Sequence, residues 1–169
     1  MKNIKIYDDM TLTSWDKKLE GTIKYWNYDK INKGAIISIS GEFRDGMEIA
    51  KFILPSLAEN TAFFIIDFSN FKYTGGDDFF NWYYFLKDFY SDISLVESDN
   101  GFPNRLSPLF PKDNIVLVYS VLCKSAIVSL IEDEDLVELN NKCFNSVNNA
   151  LDFIVRGSLN IENYTKEIP

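Results

Sequence analysis

Histidine is absent from this 169-residue chain, which removes Ser-His-Asp and Cys-His nucleophile pairs, histidine zinc ligands and phosphohistidine chemistry. Cysteine is scarce. Cys123 and Cys143 are the two present; they sit far apart in apolar surroundings and outside any C-x-x-C pair, so both read as reduced core residues. Positive charge is thin as well. Seventeen Lys and Arg against 25 Asp and Glu leave a formal charge of −8, and without a basic run the chain is a poor partner for phosphate backbones, which excludes DNA and RNA. Long apolar runs are missing too. The longest, Ile115 to Cys123, is interrupted by Tyr119 and Ser120 and falls short of the ~20 residues a membrane-spanning helix requires. The opening MKNIKIYDDMTLTSWDKK mixes charges and forms no secretory h-region, so a cytoplasmic location is expected.

What is present argues for a folded α/β chain: 46% of residues are hydrophobic and 15% aromatic, which excludes disorder. A chain of this length buries roughly 70% of its unfolded surface, enough for one domain without disulfides or metal. Met1 to Glu20 read as an irregular or helix-like lead-in, and residues 1–33 as an N-terminal extension plus first strand. Thr22 to Tyr28 and Ala35 to Ser40 carry strong β-formers around a polar turn, predicting a hairpin over Thr22 to Gly41. Asp45 then precedes Met47, Ala50, Ile53, Leu54 and Leu57 at helical spacing, predicting a capped amphipathic helix bent near Leu54 by Pro55.

Thr61 to Phe68 (TAFFIIDF) is almost continuously apolar, as a central strand covered on both faces should be. After a turn at Lys72 to Gly76, Phe79, Trp82, Tyr83, Leu86, Phe89 and Tyr90 recur at helical spacing. Ser91 to Asp113, with its glycine and prolines, reads as a long loop. Ile115 to Tyr119 reads as a buried strand, Val121 to Ile131 as a helix or a second strand, Glu132 to Asp135 as a solvated turn, and Lys142 to Phe144 as an edge strand. Ser146 caps a last helix that Gly157 should stop, leaving residues 158–169 as a tail. The expected architecture is a mixed sheet of four to five strands with about four helices packed against it.

Over Gly34 to Gly157 this pattern resembles the STAS family, named for sulphate transporters and anti-sigma factor antagonists. The resemblance rests on a strand running into the turn SGEF, on FFIIDFSNFKYTGGDDF before the second helix, and on CFNSVNNALDFI at the final edge strand and helix. It implies a non-catalytic regulatory module, needing neither metal nor cofactor, that binds another protein. The family carries a serine or threonine before its second helix, which a partner kinase phosphorylates to switch binding.

In this chain the corresponding stretch is Thr74-Gly75-Gly76-Asp77-Asp78, with Asp77 about where the phosphorylated hydroxyl would lie and Asp78 about where a glycine would lie. The chain thus departs from the family pattern at the residue that would carry the phosphoswitch. Thr74 is the remaining hydroxyl in the turn, and Asp77 supplies either a fixed negative charge or a helix cap. The expected partner surface comprises Glu42, Arg44, Asp45, Gly75, Gly76 and Asp78, with Phe80 and Tyr84 as an exposed aromatic pair four residues apart. Their burial under other segments is the alternative. The expected partner is a regulatory, kinase-like protein or, if the chain is instead an acidic inhibitor or immunity-type protein, a basic one. Asp67, at the carboxyl end of a buried strand, sits where phospho-accepting enzymes keep their carboxylate, but no D-x-D pair accompanies it. It reads more simply as an acceptor for turn N–H groups. Convergence of Asp67 with Glu42, Asp45 and Asp77 would instead make a metal site conceivable.

Overall fold

A computed structural model describes residues 6–13, 17–27, 33–43, 45–57, 61–76, 78–88, 115–120, 123 and 128–164. Three antiparallel strands come first: β1 (Ile6–Thr13), β2 (Leu19–Asn27) and β3 (Lys33–Glu42). The β2–β3 pair is the expected hairpin, in register from Leu19 opposite Gly41 to Asn27 opposite Lys33. β1 corrects the expectation of an irregular lead-in: residues in that region form a strand on the outer edge of β2. Helix α1 (Gly46–Leu57) then carries the chain over to β4 (Thr61–Phe68), which lies parallel to β3. Pro55 lies inside α1, which remains helical through Leu57.

Beyond the end of β4, the two-residue β5 (Phe71–Lys72) returns to pair with Gly41 and Glu42 of β3. Helix α2 covers 81–88. β6 (Ile115–Tyr119) is parallel to β4, α3 spans Glu134–Asn141, β7 (Cys143–Phe144) is a parallel edge strand, and α4 spans Val147–Tyr164. Among the described residues the sheet has seven strands, in the order β1-β2-β3-β4-β6-β7 with β5 attached to β3. It is thus mixed, as expected, but larger than the four to five strands expected. The 91–113 loop lies outside the described residues, as does most of 121–131, where Cys123 and Val128 are helical.

Alternation along the strands divides the core between the two faces. Ile23, Ile37, Ile39, Phe64, Ile66, Phe68 and Leu117 pack with Ile49, Phe52, Trp82, Leu86, Leu136 and Leu139, so α1, α2 and α3 cover one face. Ile36, Ile65, Val116 and Val118 meet Ala150, Leu151 and Ile154 of α4 on the other. Covering on both sides explains the continuous apolarity of β4 and β6.

Two further expectations are corrected. The acidic run is exposed through Glu134, as a solvated segment should be, but it leads into α3 rather than forming a turn, with Asp133 accepting the Asp135 N–H at 2.8 Å as N-cap. α4 starts as expected, with Ser146 Oγ accepting from Asn149 N at 3.3 Å, but it runs through Gly157 to Tyr164. An interior glycine costs about 1 kcal/mol relative to alanine, too little to end a helix that is otherwise favourable.

Candidate functional site

The segment between β5 and α2 is built on aromatic rings. Phe43, at the end of β3, packs against Phe71, Tyr73 and Phe79 with ring centroids 5.4–5.9 Å apart, and Phe68 adds a further contact with Phe79 at 5.3 Å. This buried cluster fixes the path of the turn above it. Gly75 and Gly76 take φ of +118° and +123°, a region in which a side chain is strained. The Tyr73 hydroxyl donates to the Gly76 carbonyl. Thr74, Gly75 and Gly76 are exposed on top.

The start of α1 lies beside this turn. Asp45 caps α1 as expected, its Oδ1 accepting from Met47 N at 2.7 Å. Asp78 adds a second carboxylate to the same terminus: Oδ2 accepts from Gly46 N at 3.4 Å, while its carbonyl accepts from Asn81 N at 3.0 Å. A β-carbon on Gly46 would lie 2.0 Å from that carbonyl, so only glycine lets the α1 terminus and the residues entering α2 approach this closely. Two acidic groups at the positive end of α1 are electrostatically favourable. Asp78 thus ties the α1 terminus to the chain entering α2. Glu42 is half-buried at the end of β3. Arg44 and Asp77 lie outside the described residues.

Asp67 belongs elsewhere. It is 8% exposed and projects to the α4 face of the sheet, opposite the aromatic cluster. Its Oδ1 accepts from Ser69 N at 2.9 Å and Ser69 Oγ at 2.6 Å, and its Oδ2 from Ser38 Oγ at 3.1 Å. These bonds close the β4–β5 turn and tie it to β3, the simpler of the two readings of Asp67. With Glu20, Thr22, Ser38 and Ser40 it lines a polar hollow of about 160 Å³. Asp67 therefore does not converge with Asp45, Asp77 of the expected cluster lies outside the described residues, and no group of three potential metal ligands occurs among the described residues.

Phe80 and Tyr84 do not form an exposed pair. Phe80 is 4% exposed and packs edge-on to Phe79 at 5.0 Å. The reason is local: residues 78–80 form a turn and the helix begins at 81, so a helical projection extended back through Phe79 misplaces Phe80. Tyr84 is half-buried. Burial and then the Asp133 carboxylate, to which its phenol is hydrogen-bonded, push its pKa up. Phe80, Tyr84, Leu130, Glu132, Asp133 and Leu136 together line an open groove of about 430 Å³ between α2 and α3. The groove was missed in the sequence because its acidic wall and its aromatic wall lie some fifty residues apart. No local pattern links them.

Comparison of the chain with protein-family models, with curated proteins and with solved structures finds no match.

Proposed function

We propose that the chain is a non-catalytic, STAS-like regulatory module that binds another protein through the corner formed by the start of α1, the 73–78 turn and the entry to α2. The observation that carries this reading is the exposed Thr74-Gly75-Gly76 stretch, supported from below by the Phe43 aromatic cluster and flanked by the Asp78–Gly46 bond. A surface turn held in one conformation loses little entropy when a partner covers it, which favours binding. Similarity of element order to the STAS pattern from β3 onward supports the family assignment; fold alone carries no function. In this reading Asp77 provides a permanent negative charge where the family carries a phosphorylatable hydroxyl.

A second reading, an acidic inhibitor of a basic protein, is favoured by the Glu132 to Asp135 run on the rim of the α2–α3 groove and by the net charge of −8. Affinity capture from the native host with the wild type, Thr74→Arg and Asp152→Asn tests the corner. A protein retained by wild type and by Asp152→Asn but lost with Thr74→Arg supports the corner as interface. Equal retention by Thr74→Arg overturns it. Exposure of the protein to the captured partner with ATP tests the fixed charge, since phosphate incorporated at Thr74 would defeat it.

A further inference from the structure

The groove between α2 and α3 combines two kinds of surface. Its floor is apolar, from Phe80, Leu130 and Leu136, and the half-buried Tyr84 stands as an aromatic wall. Its rim is acidic. Glu132 and Asp133 line it and both are exposed; Glu134, next in the chain, is exposed as well. Lys87 lies close by, paired with Asp135 and also within the field of Asp133, so it offsets the acidic rim in part and leaves Glu132, Asp133 and Glu134 as the rim's exposed carboxylates. Asp133 is held in place from two sides. Its Oδ1 accepts from Asp135 N at 2.8 Å and its carboxylate meets the Tyr84 phenol, which leaves acceptor capacity on the carboxylate.

Such a lining selects its occupant by chemistry. Anions are repelled at the rim, and a purely apolar side chain would leave the carboxylates unused. An ammonium gains less than a guanidinium, because it is more strongly hydrated and lacks a flat face to lay on an aromatic ring. A guanidinium can stack on Tyr84 while its N–H fork meets a carboxylate. The volume of about 430 Å³ falls within the range of ordinary ligand pockets and admits a long side chain together with the backbone that presents it.

We infer that this groove is a seat for an arginine side chain presented by a basic segment of the partner protein. The inference rests on the protein-binding reading and specifies the partner's chemistry, at residues distinct from the Thr74 turn.

The test is an NMR titration of the full-length, isotope-labelled chain with acetyl-arginine-methylamide, and with its lysine and citrulline counterparts. Arginine is expected to shift amides of Phe80 to Tyr84 and Leu130 to Leu136. Citrulline, which keeps the shape and loses the charge, should bind at least tenfold more weakly, and lysine at least threefold more weakly. The double variant Glu132→Gln/Asp133→Asn should weaken arginine binding at least fivefold; asparagine preserves the helix cap, and circular dichroism confirms the fold. Asp152→Asn, which removes a charge from exposed α4 surface, should leave binding unchanged. Shifts elsewhere, equal binding of citrulline or lysine, or equal weakening by Asp152→Asn would overturn the inference. Partner capture that depends on Thr74 while arginine fails to bind overturns this inference alone. Arginine binding in the groove with capture indifferent to Thr74→Arg overturns the corner alone.

Discussion

Tyr119 ends β6 with its hydroxyl buried and without a hydrogen-bond partner among the described residues, and burial holds the phenol well above its ordinary pKa. A buried donor left unpaired carries a desolvation penalty that removal of the group relieves. Tyr119→Phe is therefore expected to stabilise the fold by about 1 kcal/mol, read as a higher urea midpoint with unchanged slope. Cys123 illustrates the same cost in a thiol. Burial raises its pKa from 9.0 to about 11. The folded chain holds this proton more tightly than the unfolded chain, so its stabilising contribution is complete below pH 9 and disappears as pH rises toward 11. The stability advantage of wild type over Cys123→Ala should shrink across that window in urea titrations, and a constant difference would count against a buried neutral thiol. Gly34 is limited by space rather than by backbone angle, since an added β-carbon would lie 2.0 Å from the Trp26 ring. Gly34→Ala should cost about 1–3 kcal/mol by overpacking, measured by the same unfolding curves.

At the level of elements, Asp67 holds the β4–β5 turn against β3 through three accepted bonds. Asp67→Ala should lower stability by about 1.5–3 kcal/mol, and Asp67→Asn by less, in thermal unfolding monitored by circular dichroism. The central elements were legible because their periods are clean: β2 through β4, α1 with its Asp45 cap, β6, and the Ser146 start of α4 all follow from apolar spacing and one capping side chain. β1 was not legible because the register shift between Asp8 and Met10 interrupts the two-residue alternation by which a strand is recognised. β5 has two residues, too few to show any period. α3 was hidden by its charge, since four consecutive acids mask Leu136 and Leu139, which lie three apart and are buried. Within the site, the Asp45 cap was readable from sequence, whereas the reach of Asp78 to Gly46 spans 32 residues and depends on tertiary packing.

For the whole molecule, the sheet has unequal borders. β7 contributes two residues on one side and β1 eight on the other. β1 shields the outer backbone groups of β2, and the register shift between Asp8 and Met10 in its own backbone is a device that discourages edge-to-edge pairing. Removal of residues 1–13 should expose the edge of β2 and raise the mean particle size above that of the full chain, visible by light scattering. An unchanged particle size would mean that β2 needs no such cover.

β3 is the strand at which antiparallel neighbours give way to parallel ones. On one side β2 precedes it by a short stretch of sequence; on the other, β4 arrives by way of a complete helix. Sequence-local contacts close soonest, so once Glu42 has emerged from the ribosome the meander of three strands has its internal pairing available, while the second border of β3 stays open until α1 and β4 have been synthesised. That interval leaves Ile36 and Ile37 on an unpaired border of the nascent chain, an open margin on which premature association between growing chains can start.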